Sequence, residues 1–114
     1  MDVWPDELDA LTAAPGHHRV LMENDIVRVI ETLVPPGETV PVHTHRWPGV
    51  SHLQSWSDFI RRDEKGEVLL DTRTQQITRV EGGATWQNPL GPHSLENVGG
   101  QTLKVLTVEL KNLP

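Results

Sequence analysis

The chain has 114 residues, a formal net charge of −6 and no cysteine. That length suits one domain around one modest core, and the negative charge argues against nucleic acid and anionic membrane surfaces as partners. Without cysteine there is no disulfide, no thiol nucleophile and no thiolate ligand, so any metal must rest on nitrogen or oxygen.

Residues 1–16 read as an N-terminal arm, in which "PDELDALTA" forms one or two helical turns opened by Pro5 and "APG" ends them. The first twenty residues hold Asp2, Asp6, Glu7 and Asp9 and no apolar run of signal length, and nothing later approaches a membrane span. A cytoplasmic protein is the expectation. Residues 17–114 then read as a single strand-rich domain of short β-prone runs closed by turns: "HRVLM", "IVRVIETLV", "VPVHTH", "VSHLQSWSDFIR", "EVLLDT", "ITRV", "TWQN", "HSLENV" and "TLKVLTVEL". Close, regular strands with no long helices between them indicate an all-β antiparallel sandwich or small barrel. "RRDEKGE", residues 61–67, reads as a solvated hairpin tip, and His17 and His18, at the end of the arm, read as polar surface.

His43 and His45 stand two apart, so on a strand they face the same way, spaced to converge on one ion. The bland reading is a polar outer face. Pro48-Gly49 fits the centre of a type II turn, and a hairpin loop of two or four residues places His52 on the face of His43 and His45, whereas three or five would flip it away. A second cluster, "GGATWQNPLGPHSLENVGG", puts His93, Leu95 and Asn97 on one face of a strand entered through a Pro- and Gly-rich bend.

These two clusters resemble the paired motifs of a small single-domain cupin. Gly37, "ETVPV" and His43-Thr44-His45 follow the first motif, and Gly83, "ATWQN", Pro89-Leu90-Gly91, Pro92, His93, "SLE" and Asn97 follow the second over a resemblance spanning about residues 20–110. The resemblance implies a jelly-roll β-barrel of two antiparallel sheets with the arm appended, commonly a homodimer. It also implies a divalent metal held by His43, His45 and His93 together with a glutamate. That glutamate falls at Val50, the glycine six residues beyond it at Ser57, and the gap between Gly91 and His93 is one residue short.

His52 is the candidate substitute, as fourth ligand or as a catalytic proton shuttle, with Gln54 and Trp56 following it on the same face as substrate-pocket residues. Imidazoles without a carboxylate suit zinc, iron, nickel or copper, with manganese also in range, and their neutrality leaves the ion's charge to attract an anion. Trp47, Trp56 and Trp86 either line a pocket or supply aromatic core volume, and the facing of Arg28, Glu31 and Glu109 is open. "GVSHL" lacks the glycine a nucleophile elbow needs, because Leu53 stands there. The leading expectation is a metal-dependent enzyme (a dioxygenase, isomerase or related activity) for a small organic acid or metabolite. Its rival is a noncatalytic barrel that binds a small ligand over a degenerate metal site.

Overall fold

The computed structural model describes residues 4–75, 77 and 80–112. Among them are nine strands: β1 (His18–Glu23), β2 (Val27–Val34), β3 (Thr39–His45), β4 (Gly49–Ser55), β5 (Phe59–Asp63), β6 (Val68–Asp71), β7 (Ala84–Gln87), β8 (Leu90–Asn97) and β9 (Leu103–Leu110). They build two antiparallel sheets, one ordered β1-β2-β9-β4-β7 and the other β3-β8-β5-β6. This is the all-β jelly roll expected. Among the described residues no helix is long and apolar enough to cross a membrane.

Two local expectations are corrected by the sheet topology. β3 and β4 are not a hairpin: they lie in different sheets, and Arg46-Trp47-Pro48 carries the chain from one layer to the other. The long run 50–61 likewise breaks after Ser55, and its two halves, β4 and β5, join opposite sheets. Of the "ITRV" run, Ile77 and Val80 lie outside any strand, while Thr78 and Arg79 lie outside the described residues.

Alternation sorts each strand into an inner and an outer face. On β2, Arg28, Ile30 and Val34 are buried, and on β9 Leu103, Thr107 and Glu109 are. At one end of the interior Val34, Val40, Phe59 and Leu103 pack with Ala14, flanked by Leu53, Trp56, Leu70, Leu95 and Val105. Asn97 ties this end together. Its amide donates to the carbonyls of Val34 and Gln101 at 2.8 and 2.7 Å, and its oxygen accepts from the Ser57 hydroxyl and the Gly99 N–H at 2.7 and 2.9 Å. Every hydrogen-bonding position of that buried side chain is filled, which is what a buried amide requires. Gly49 permits the close seating of β4 on β9, because a Cβ there would run into the Val108 carbonyl.

The arm forms a 3-10 turn (Asp6–Leu8) and a one-turn helix α1 (Ala10–Ala13), capped by the Asp9 carboxylate on the Leu11 N–H at 3.2 Å. Small side chains let it sit close: Ala10 and Ala14 are fully buried, and Asp9 bridges in parallel to Thr44 of β3. The arm therefore contributes to the barrel wall next to β1 and β3, and the chain segment just after it inherits that burial.

Candidate metal centre

His43 and His45 point inward from β3, and both are buried. His43 stands directly opposite His93 of β8. Between that pair and the next, His45 with Leu90, β8 uses one more residue than β3, a bulge that includes Pro92. Proline has no N–H to give a ladder, so a bulge is where a strand tolerates it, and the bulge re-aims the residue beside it. The shortened Gly91 to His93 spacing is absorbed in this kink.

A further histidine arrives from the other sheet. His18, first residue of β1, is 6% exposed, its Nδ1 donating to the Ala14 carbonyl at 2.9 Å. Ring centroids lie 4.8 Å apart for His18 and His43, 5.5 Å for His18 and His45, 4.9 Å for His43 and His45, and 4.3 Å for His43 and His93. One ring nitrogen from each of His18, His43 and His45 lies within 4.8 Å of the others. Two bonds of about 2.1 Å to a shared ion span at most about 4.2 Å, so the rings would have to draw slightly closer to share one.

The tethering of the rings decides which nitrogen is free. His43 Nδ1 donates to the Pro41 carbonyl at 2.8 Å, His93 Nδ1 to the Gly91 carbonyl at 2.7 Å, and His45 Nδ1 to Glu109 at 3.4 Å. Backbone carbonyls and carboxylates only accept, so each Nδ1 carries the proton and each Nε2 keeps a lone pair. Among the described residues none of these four Nε2 atoms has a hydrogen-bond partner within the protein. Burial, assisted by the neighbouring imidazoles, pushes His18 down to about 4, His43 to about 2 and His93 to about 3. Those three rings are neutral at physiological pH, the state that ligates a metal. The donor set fits a borderline divalent ion.

Behind His45 runs a buried ionic chain. Glu109, fully buried, accepts from Arg28 Nε at 2.6 Å as well as from His45, and Arg28 reaches Asp9 of the arm through both terminal nitrogens at 3.0 Å. Burial alone would raise the Glu109 carboxyl, but the hydrogen bonds from His45 and Arg28 outweigh it and hold the group below its usual range. Asp9 follows the same pattern with Arg28 as its partner. Arg28 also stacks over Trp47, 4.8 Å from the ring centroid.

The histidines open onto a cavity of about 120 Å³ whose walls include Leu53, Trp56, Phe59, Arg61, Gln87 and Thr107. Leu53, Trp56, Phe59, Gln87 and Val105 continue into an outer groove of about 410 Å³. Of the residues singled out from sequence, His43, His45 and His93 meet here, and Trp56 lines the wall. His52 does not join them. It sits on the outer face of β4, between Ala84 of β7 and Leu106 of β9, with Nε2 on the Gly82 carbonyl at 3.2 Å. Gln54 is exposed, and Val50 is exposed opposite the exposed Trp86. The parity that linked His52 to His43 assumed a common sheet, and strands in different sheets share no pleat.

His18, expected at the polar surface, and Arg61, expected on a solvated hairpin tip, both line the cavity instead, and Arg28 and Glu109, whose facing was open, turn inward. For Glu109 the alternation Leu103, Val105, Thr107, Glu109 carried a signal, although nothing local says which face turns inward. For Arg61 the signal was its place two residues after Phe59, which the charge run masked. His18 offered only its position at the head of a strand.

No family model matches the sequence, and no curated protein matches it. Solved structures do resemble it. A cupin domain from Bordetella pertussis Tohama I is 21% identical with a TM-score of 0.66, over 83% of this chain and 92% of that one. An RmlC-like cupin with a double-stranded β-helix fold from Methanocaldococcus jannaschii is 16% identical with a TM-score of 0.55, over 82% and 79%. The polyketide cyclase RemF from Streptomyces resistomycificus is 22% identical with a TM-score of 0.53, over 85% of this chain and 66% of that one. At these identities the likeness concerns the fold.

Proposed function

On this small single-domain cupin fold, we propose a metal-dependent enzyme for a small organic acid or related metabolite, with a divalent ion held by His18, His43, His45 and His93. One observation carries the reading: all four imidazoles have Nδ1 committed to an acceptor of the protein, which leaves four Nε2 lone pairs in one buried cluster. Rings oriented in advance lose little freedom on ligation, and a carboxylate behind one of them raises its basicity. Bound there, a zinc, iron, nickel or manganese ion would supply Lewis acidity to a substrate oxygen.

The chain's own groups account for the rest. Burial keeps His18, His43 and His93 unprotonated, and Glu109 holds the proton of His45 on Nδ1. Leu53, Trp56 and Phe59 give the cavity apolar walls that exclude water from a substrate body, while Gln87 and Thr107 offer polar contacts. Neutral ligands leave the ion's charge uncancelled, which favours an anionic substrate. A cytoplasmic homodimer completes the reading. The dimer is supported by β1, an edge strand that exposes Val20, Leu21 and Met22, and light scattering of the purified protein tests it.

Elemental analysis of untagged protein, purified without chelators or nickel resin beside a His43→Ala/His45→Ala variant, tests the metal site. Near-stoichiometric metal in the parent and none in the folded variant is the expected result. A parent that stays empty after incubation with iron, zinc, nickel and manganese refutes the site. Product formation from a panel of small acids then separates an enzyme from a barrel that only binds.

A further inference from the structure

Arg61 is a cation on the wall of the histidine cavity, and no acidic group among the described residues neutralises it. The cavity lining among the described residues contains no aspartate or glutamate, and Arg61 is its only permanently charged member. Other arginines of the barrel are paired: Arg62, next along β5, reaches Glu96 at 2.8 Å, and Arg28 is clamped between Asp9 and Glu109. Arg61 makes no hydrogen bond or ion pair among the described residues, and its Nε is buried without a partner. Its guanidinium carbon lies 5.6 Å from the Phe59 ring centroid, within cation–π range.

Arg61 is half-buried with its Nε occluded, so its guanidinium is partly desolvated without an anion, a cost that an apolar residue at the same position would avoid. Burial does push Arg61 below its usual value, yet a guanidinium stays protonated at any physiological pH. The charge therefore persists in the ligand-free cavity. One guanidinium balances one negative charge and presents a planar fork that matches a carboxylate. The remaining walls nearby, Leu53, Trp56 and Phe59, are apolar.

We propose that Arg61 is the carboxylate-binding residue of this cavity, pairing with a monoanionic organic acid whose body lies against Phe59 and Trp56. The proposal deepens the metal-site reading, on which it depends only for what happens at the other end of the bound acid. Arg61 carries no part of the metal site itself.

The test is calorimetric titration of metal-free and zinc-loaded protein with acetate, pyruvate and benzoate, and with benzamide as a neutral control. Parent, Arg61→Met and Arg61→Lys are compared. At least one acid should saturate the parent, bind about tenfold or more weakly to Arg61→Met and recover part of its affinity in Arg61→Lys. Benzamide should not distinguish the three. The melting temperature of ligand-free Arg61→Met should equal or exceed the parent's, because a partly desolvated charge without a partner has been removed. Unchanged acid affinity in Arg61→Met overturns the proposal, as does a parent that no acid saturates, or melting of both variants well below the parent, the mark of a structural arginine. Metal content is read on the same samples. Arg61-dependent acid binding in a parent that takes up no metal refutes the metal site alone.

Discussion

At one end of the barrel Val34, Val40 and Leu103 close on one another, whereas at the other end the same or adjoining strands turn Arg28, His43, His45, His93 and Glu109 inward. Both ends obey one alternation, and β2 shows this within eight residues, running from buried Arg28 through Ile30 to Val34. Pleat geometry decides which residues face in, and chemistry decides what they do there. The apolar end gains free energy from burial, at roughly 25 cal/mol per Å² of apolar surface. The polar end pays desolvation for a chain of ionised groups and four imidazoles, which apolar residues of similar volume would avoid. Its arrangement is one that a ligand, and not the fold, calls for.

Substitutions should therefore dissociate the two ends. Leu103→Ala should cost about 2–5 kcal/mol by denaturant unfolding while leaving metal stoichiometry unchanged. His43→Ala/His45→Ala should abolish metal uptake, with a smaller loss of stability in the metal-free chain. A Leu103→Ala protein that folds but no longer takes up metal would show that the ends are coupled.

Acid should act on the polar end alone. Three imidazoles have folded-state values of about 4, 2 and 3 against an ordinary 6.5, with burial the main cause. Between pH 6.5 and about 4 the unfolded chain takes up protons at these positions and the folded chain does not. Stability is thus fully present above about 6.5 and falls as the pH drops, by about 1.4 kcal/mol per pH unit for each such proton. The groups facing the cluster, Glu109 and Arg61, keep their charges through most of that window. Urea unfolding of metal-free protein at pH 7.5, 6 and 5 checks the slope. A stability independent of pH across that range would mean the rings are solvated.

Glu109→Gln gives a smaller effect confined to the ionic chain. The amide still fills the space but orients His45 less firmly, and metal affinity should fall about 10–100-fold. Competition with a chelator measures it, and an unchanged affinity would assign Glu109 to the support of Arg28 alone.

The strand pair at the centre of the site was legible because its information is local. A two-residue spacing puts His43 and His45 on one face, and the Pro-Gly bend before His93 delivers it to the neighbouring strand. His18 was illegible for the opposite reason. Its burial comes from Ala10 and Ala14 packing the arm onto the barrel, a contact between segments that no short window contains. Arg61 was hidden by composition: "RRDEKGE" looks uniformly solvated, but β5 extends to Asp63, and alternation sends Arg61 inward and Arg62 to Glu96. The expected β3–β4 hairpin failed where a turn was read as a reversal within one sheet. Pro48-Gly49 lies instead where the chain changes layers.

His52 and His18 provide the finest distinction between inner and outer faces. His52 stands on an outer face with its ring on the Gly82 carbonyl, a hydrogen bond that water replaces at little cost. His52→Ala should therefore change stability by no more than about 0.5 kcal/mol and leave metal affinity untouched. His18→Ala removes a ring in contact with both His43 and His45, together with a tethered lone pair. It should weaken metal binding in the same chelator competition that reads no change for His52→Ala. The reverse pattern would require β4 to turn its other face to the cavity. Leu53 would then leave the wall and the hydrogen bonds that link the Ser51 hydroxyl with Gln87 and Thr107 would break, so one pair of alanine variants tests the register of the whole strand.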